Sequence, residues 1–283
     1  MRPALGVFNR SWRNRKLILA SLDWTRSKDP PSSLGSASIL ANLRKNNIPV
    51  ISKSWSVNHD DFSHEEVTQY ILQNSSNNTD VALGAFVWNE RYLKGILSDL
   101  ERANYTGNII LGGPQISYVK KGLEKYYPQA DVFIRGYGEE ALANLYLSED
   151  RLPDIDGVHF AGQKDLGKSA NADLEKLPSP FLTELIKPQK FIRWETQRGC
   201  PFRCSFCQHR ESDITQTRRH FELSRILQEA DWITQNTVVQ DVAILDPTFN
   251  SGDQYLAIMD RLIEGGYAGK LALQIRIEMI TPE

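Results

Sequence analysis

The sequence predicts an α/β protein with two parts, an N-terminal doubly wound parallel sheet followed by a partial (β/α) barrel. Short apolar runs alternate with segments of helical periodicity in both halves of the 283-residue chain, a pattern typical of parallel strands joined by crossover helices. The length is sufficient for two separate cores. A connector rich in Pro, Gly, Lys and Asp divides the halves. We therefore place the domains at residues 1–150 and 189–283, with a linker at 151–188.

The first domain is predicted from apolar runs short enough to be buried strands. The predicted strands are 16–22, 50–55, 81–87, 108–111 and 132–134, and the predicted helices are 35–46, 64–74 and 92–103. Gly112 and Gly113 follow the fourth strand. Ligands of such sheets bind beyond the carboxyl ends of the strands, where glycine lets the backbone approach a ligand or make a tight turn. Both interpretations of the glycine pair are open.

The second domain repeats the alternation. The predicted strands are 191–196, 238–245 and 271–277, and the predicted helices are 221–235 and 254–264. Parallel strands with crossover helices are the units from which a barrel is built. The carboxyl ends of these strands then form the edge at which barrel enzymes place their active sites.

Composition excludes several partners. The formal net charge is −2, which gives no signal for nucleic acid, because that binding depends on clustered cations. No apolar run approaches the ~20 residues that a membrane-spanning helix needs. We expect a cytoplasmic protein without a membrane partner.

The cysteine pattern carries the chemistry. The chain has three cysteines, Cys200, Cys204 and Cys207, all within one short segment. Thiolates are the ligands of iron–sulfur clusters, and three of them can hold a [4Fe-4S] cluster with one iron left open to a substrate. Structural zinc would need a fourth ligand, for which His209 is the nearby candidate in a cramped position. Metal-free thiols are the third alternative, and an odd cysteine count disfavours a disulfide framework.

The spacing C-x3-C-x-aromatic-C, with Phe206 as the aromatic residue, resembles the signature of radical S-adenosylmethionine (SAM) enzymes. The wider string from Trp194 to Cys207 is similar to that of members with an N-terminal cobalamin-binding-type domain. The resemblance implies a [4Fe-4S] cluster on the three cysteines, SAM chelating the open iron, and reductive cleavage of SAM to a 5′-deoxyadenosyl radical. It also implies an electron donor such as flavodoxin or ferredoxin and a small-molecule or natural-product substrate.

Three landmarks of the first domain resemble a Rossmann-like cobalamin-binding domain: Leu34-Gly35, the string from Leu111 to Pro114, and the string from Arg135 to Glu139. The Asp-x-His-x-x-Gly motif that supplies an axial histidine to cobalt in that family is absent after the first strand. His59 and His64 follow the second predicted strand instead. The resemblance therefore implies cobalamin bound without that histidine, or a domain that has lost the cofactor.

Further cofactor-binding residues are implied by the same resemblance. Asp246, Thr248 and Asn250 follow the second barrel strand, where the family binds the amino group of SAM; an Asx turn and a helix cap are the alternative. Gln274 and Arg276 alternate on the third strand and share one face, which is either next to SAM or solvated. Phe206 is expected to pack beside the cluster or the adenine.

Radical SAM barrels typically use six strand–helix units, and about three are predicted here. We therefore expect the chain by itself to bind SAM weakly. The function that the sequence favours is a radical SAM enzyme, with methyl transfer if cobalamin is bound and hydrogen-atom abstraction if it is not. A non-catalytic relative acting as a scaffold or partner subunit, and a zinc-stabilised binding module, are the alternatives.

Overall fold

The computed structural model describes residues 11–30, 32–119, 121–202, 204–207 and 218–280. The chain forms two compact units. The first contains Met1–Thr25 and Pro31–Ala172, and the second contains Arg26–Pro30 and Asp173–Glu283. The boundary at residue 172 lies inside the predicted linker, because the first part of that linker supplies a strand to the first unit.

The first unit is built on one six-stranded sheet. Its strands are β1 (Lys16–Asp23), β2 (Val50–Ser56), β3 (Thr79–Gly84), β4 (Ile109–Gly112), β5 (Val132–Ile134) and β6 (Val158–Phe160). The order is β2-β1-β3-β4-β5-β6; the first five strands are parallel, and β6 is antiparallel to β5. The reversal of direction at β1 makes the sheet doubly wound, which confirms the predicted fold class.

Six helices connect these strands. They are α1 (Leu34–Lys45), α2 (His64–Gln73), α3 (Glu90–Arg102), α4 (Pro114–Ser117), α5 (Leu123–Tyr126) and α6 (Gly138–Leu147). Ser33 and Ser63 each accept a hydrogen bond from a backbone N–H of the helix that follows, which is how serine starts a helix. No helix within the described part of the chain combines the length and apolar character needed to cross a membrane.

One strand boundary and one helix in the first unit differ from the prediction. β3 ends at Gly84, short of the predicted end, because the side chain of Asn89 turns the chain. Its Oδ1 accepts from Phe86 N, and its Nδ2 donates to the backbone oxygens of Leu22 and Gly84. Helix α6 had no counterpart in the sequence analysis. Its Glu, Ala and Leu residues favour helix.

The second unit contains a three-stranded parallel sheet and a short two-stranded ladder. The strands are β7 (Phe191–Trp194), β8 (Gln197–Arg198), β9 (Arg219–His220), β10 (Asp241–Ile244) and β11 (Lys270–Ala272). Its helices are α7 (Leu223–Gln235), α8 (Gln254–Glu264) and a 3-10 turn at Ile277–Met279. The sheet order is β11-β10-β7, and β8 pairs antiparallel with β9. These are the first strands of the predicted partial barrel.

Strand β11 ends before the predicted end because another segment takes its hydrogen bonds. The backbone N–H of Phe249 donates to the carbonyl of Gln274 at 2.7 Å. The side chain of Asn250 bonds both the N–H and the carbonyl of Arg276, each at 2.9 Å. Residues 274–276 are thus bound to the loop after β10.

A buried ionic network fixes the amino edge of the first sheet. The carboxylate of Asp80 is fully buried. One oxygen accepts from Arg15 and from both the backbone and side chain of Asn108, and the other accepts from Arg15 Nε at 2.7 Å and from Tyr146 Oη at 2.9 Å. Burial, followed by the Asp80 charge, raises the pKa of Tyr146 well above its ordinary value. One carboxylate thus joins the entry to β1, strands β3 and β4, and helix α6.

We expect Asp80→Asn to lower the free energy of unfolding of the first unit by about 3–5 kcal/mol, because Arg15 would be left as an uncompensated buried charge. Tyr146→Phe is the matched control; it removes one hydrogen bond and should cost about 1 kcal/mol. Urea unfolding of the full chain, followed by circular dichroism, measures both. Equal losses in the two variants would show that the carboxylate does not organise this edge.

Candidate functional site

The three cysteines lie on a segment that follows β8, residues 199–207, here called the cysteine loop. Gly199 opens it with a φ of +82°, a conformation that favours glycine. The residues just before the cysteine loop form the β8–β9 ladder, in which Gln197 pairs with His220 and Arg198 with Arg219. This pairing fixes the start of the cysteine loop near the carboxyl end of β7.

Cys200, Cys204 and Cys207 are free thiols of intermediate exposure. The Sγ of Cys200 lies 3.6 Å from Thr248 Oγ1, and the N–H of Cys207 donates to the carbonyl of Cys204 at 3.1 Å. Three soft donors in one loop suit the chemistry of an iron–sulfur cluster. Among the residues that the structure describes, no group of three or more His, Cys, Asp or Glu side chains is gathered closely enough to hold a metal ion. The joint ligand set stays a prediction.

The zinc alternative depends on a residue that the structure does not describe. His209, the fourth ligand considered for zinc, lies outside the described residues. The thiol chemistry, with three donors and no disulfide, favours the cluster.

Asp246 is the buried anchor of the cysteine loop. Its side chain is fully inaccessible. One oxygen accepts from the N–H groups of Thr196 and Gln197 at 2.8 and 3.2 Å, and the other accepts from the Thr196 hydroxyl. Burial raises the pKa of Asp246 to about 6, although these hydrogen bonds act in the opposite direction. Both oxygens thus accept hydrogen bonds from the residues that lead into the cysteine loop. The contact of Asp246 with the amino group of SAM stays a prediction.

Thr248 and Asn250 are also buried. The Thr248 hydroxyl donates to the carbonyl of Pro247 at 2.8 Å, and Gln197 Nε2 donates to the carbonyl of Thr248 at 2.6 Å. Asn250 uses its amide to bind the backbone of Arg276. Thr248 is therefore the member of the predicted group that faces a cysteine, and Asn250 connects two segments of the site.

Gln274 and Arg276 have different surroundings. Gln274 is exposed, whereas Arg276 is half-buried. The guanidinium of Arg276 lies 4.0 Å from the centre of the Phe202 ring and is paired with Glu278. The Glu278 carboxylate raises the pKa of Arg276 against the effect of burial, and the Cys204 side chain raises it further through charge and a hydrogen bond. The structure thus brings Arg276 to the cysteine loop.

Phe206, the aromatic residue of the cysteine motif, is 91% exposed. A ring this accessible is available to a bound group. Its predicted packing beside the cluster or the adenine is not tested by the described residues.

Gly112 and Gly113 end β4 in the first unit. Gly113 has a φ of +93°, and a Cβ there would lie 2.9 Å from the carbonyl oxygen of Ala85. The chain needs glycine at this position because two backbones meet: Ala85 N donates to Gly112 O, and Gln115 N donates to Ala85 O. At Gly112 the nearest atom to such a Cβ would be 3.7 Å away. The turn explains Gly113, and the cofactor role of both glycines stays a prediction.

The loop after β1 is joined to the loop after β2. Thr25 N donates to Asn58 Oδ1 at 2.9 Å, and Thr25 Oγ1 lies 3.4 Å from Nε2 of His59. His59 therefore reaches the carboxyl end of β1 although it follows β2 in the sequence. His64 instead begins α2 and lies 3.3 Å from Asp99.

The sequence analysis did not select two aromatic residues at the same edge. Trp24 follows β1 and is 54% exposed. Trp88 follows β3, is 46% exposed and stacks on Phe86 with ring centres 4.5 Å apart. The available signal was the position of each tryptophan directly after an apolar strand, since apolar side chains there are not needed for the core.

Comparison with known proteins agrees with this geometry. No family model matches the chain. The cobalamin-dependent radical SAM methyltransferase TokK of Streptomyces tokunonensis is 27% identical over 204 residues, which are 65% of this chain and 29% of TokK. The 2-(S-pantetheinyl)-carbapenam-3-carboxylate methyltransferase of Streptantibioticus cattleyicolor is 26% identical over 218 residues, 70% of this chain and 31% of that protein.

The fold is shared with a solved structure. The cobalamin-dependent S-adenosylmethionine radical enzyme OxsB, with aqua-cobalamin and S-adenosylmethionine bound, superposes with a TM-score of 0.67 at 17% identity, over 89% of this chain and 37% of that one. The chain thus spans about a third of the length of the proteins it matches. These findings confirm the resemblance predicted from the cysteine motif.

The pKa of Asp246 predicts a pH-dependent stability. Since its folded pKa of about 6 exceeds the unfolded value of about 3.9, the folded state binds this proton more tightly. The stabilisation is complete below about pH 4 and is lost as the pH rises through about 6, by about 2–3 kcal/mol.

Asp246→Asn removes this titration while keeping the Oδ1 acceptor. Urea unfolding at pH 4 and pH 7 should show that wild type loses about 2–3 kcal/mol relative to the variant over that interval. Parallel pH profiles for the two proteins would contradict the raised pKa.

Proposed function

We propose that this chain, a relative of the cobalamin-dependent radical SAM methyltransferases, forms part of a radical SAM enzyme. The observation that carries the proposal is the cysteine loop, which holds three free thiols near the carboxyl end of β7. The β8–β9 ladder fixes the start of this loop. Barrel enzymes place their chemistry at this edge. The sequence likeness to two methyltransferases supports it independently.

In this proposal Cys200, Cys204 and Cys207 hold a [4Fe-4S] cluster through their thiolates. When bound, the cluster supplies the electron that cleaves SAM reductively. Asp246 fixes the backbone of Thr196 and Gln197, which sets where the cysteine loop begins. Asn250 fixes the backbone of Arg276.

The first unit is proposed to bind cobalamin. Its doubly wound sheet leaves glycines and exposed tryptophans at the carboxyl edge, which is where such sheets bind ligands. Methyl transfer to a small-molecule or natural-product substrate is the reaction that the names of the relatives support. An electron donor such as flavodoxin or ferredoxin and a cytoplasmic location belong to the same proposal, in keeping with the free thiols.

The second candidate is a non-catalytic relative that acts as a scaffold or partner subunit. A protein of this kind would keep the fold without SAM cleavage.

Anaerobic reconstitution with iron and sulfide, followed by electron paramagnetic resonance with and without SAM, separates the candidates. A [4Fe-4S] signal that changes on addition of SAM supports the enzyme. A [4Fe-4S] signal that does not change on addition of SAM supports the non-catalytic relative. Zinc bound in place of iron would support a zinc-stabilised module and overturn the proposed function.

Single alanine substitutions of Cys200, Cys204 and Cys207 should each abolish most iron incorporation, because each removes one of three protein ligands. Ser205→Ala is the matched control, since Ser205 is exposed in the same loop and offers no thiolate. Iron and sulfide analysis after reconstitution measures the loss. Normal iron content in one cysteine variant would remove that cysteine from the ligand set.

Hydroxocobalamin should bind with no protein imidazole on cobalt, because the segment from Trp24 to Pro30 contains no histidine. His59→Ala is the informative variant, since His59 is the histidine that reaches the end of β1. Its absorption spectrum with hydroxocobalamin should match that of wild type. A spectrum of histidine ligation that disappears in His59→Ala would identify His59 as an axial ligand.

A further inference from the structure

Arg276 is held at the carboxyl edge of the second unit by its own backbone. Its N–H donates to Asn250 Oδ1, and its carbonyl accepts from Asn250 Nδ2, each at 2.9 Å. Asn250 is itself buried. A two-point connection to a buried amide fixes the position from which the arginine side chain extends.

From this position the side chain reaches the cysteine loop. The guanidinium lies 4.0 Å from the centre of the Phe202 ring, which is close for a cation–π contact. Glu278 pairs with it from two residues further along the chain. Arg276 therefore contacts Phe202, which lies between Cys200 and Cys204 in the cysteine loop, and carries one carboxylate partner.

We infer that Arg276 is a positioning residue that sets the reduction potential of the iron–sulfur cluster, through the charge that it holds against Phe202 of the cysteine loop and with Glu278 as a counter-charge. The inference rests on the proposed function. It assigns to Arg276 a role toward the cluster itself, where the family resemblance implied only a position near SAM.

The sign follows from electrostatics. Reduction adds an electron to a cluster held by thiolates, and potentials of such clusters depend on net charge and on hydrogen bonds to the sulfurs. A guanidinium held against the cysteine loop stabilises the more negative, reduced form through its positive charge and raises the potential. Glu278 withdraws part of that positive charge and lowers the potential. The two residues thus act in opposite directions at one point of the loop.

A direct role toward the SAM carboxylate is the competing interpretation, since guanidinium and carboxylate form strong paired hydrogen bonds. The two roles differ in the absence of SAM. A residue that acts only on SAM leaves the potential of the SAM-free cluster unchanged, whereas a residue whose charge acts on the cluster shifts it.

The test is a dithionite titration of the reconstituted, SAM-free cluster, followed by electron paramagnetic resonance. Arg276→Gln should lower the midpoint potential by about 59 mV, a tenfold change in the one-electron equilibrium. Glu278→Gln should shift it in the opposite direction. Arg276→Lys keeps the charge, should shift the potential less, and is available if the glutamine variant does not fold. Arg261→Gln is the matched control. This variant removes the same charge, but from an arginine that pairs with Asp231 on α7.

Opposite shifts for Arg276→Gln and Glu278→Gln, with Arg261→Gln at the wild-type potential, are the expected result. Unchanged potentials in the Arg276 variants, with a normal cluster, overturn this inference and leave the proposed function standing. If the wild-type chain assembles no [4Fe-4S] cluster, the proposed function and this inference both fail.

Discussion

The second unit depends on one buried carboxylate. Asp246 stands directly after β10, and its oxygens accept three hydrogen bonds from Thr196 and Gln197, which follow β7. Neighbouring parallel strands have no turn between them, so their carboxyl ends are joined by such side-chain contacts. Together with the bond from Gln197 Nε2 to the carbonyl of Thr248, this contact holds the start of the cysteine loop to the loop that carries Thr248. Burial without a cationic partner is costly for a carboxylate, and the pKa of about 6 records that cost.

At the same carboxyl edge of the second sheet, a buried amide group also positions the backbone. Asn250 ties residues 274–276 to the loop after β10, at the expense of β11, which ends at Ala272. Arg276 thereby gains a fixed origin and reaches Phe202. Asn250 holds its part of the backbone as a neutral buried group, Asp246 holds the start of the cysteine loop as a buried carboxylate, and the charged Arg276 at the loop is half-exposed.

Much of this arrangement could be predicted from the sequence. Each parallel strand of the two sheets overlaps a predicted strand, and β1, β3 and β4 give the clearest apolar runs because they are buried on both faces. Helix α6 has no counterpart among the predicted helices, and the packing of its Ala141 and Leu145 into the core depends on distant residues. The buried bonds of Asp246 are likewise invisible in the sequence, since Thr196 lies 50 positions away. Which polar residues form buried hydrogen bonds depends on which residues the fold brings close together, and residue type alone does not predict it.

The segment after β1, where the axial-histidine motif is absent, makes other contacts instead. Asp29 is almost fully buried in the second unit, where Arg26 and Arg193 donate to it. Burial opposes its ionisation, but these hydrogen bonds outweigh that effect and lower the pKa of Asp29 to about 2. Phe191 lies beneath Arg26 and Lys28, with ring contacts of 5.1 and 4.9 Å. Arg26, Lys28 and Asp29 of this segment are therefore engaged through their side chains with Phe191 and Arg193 of β7.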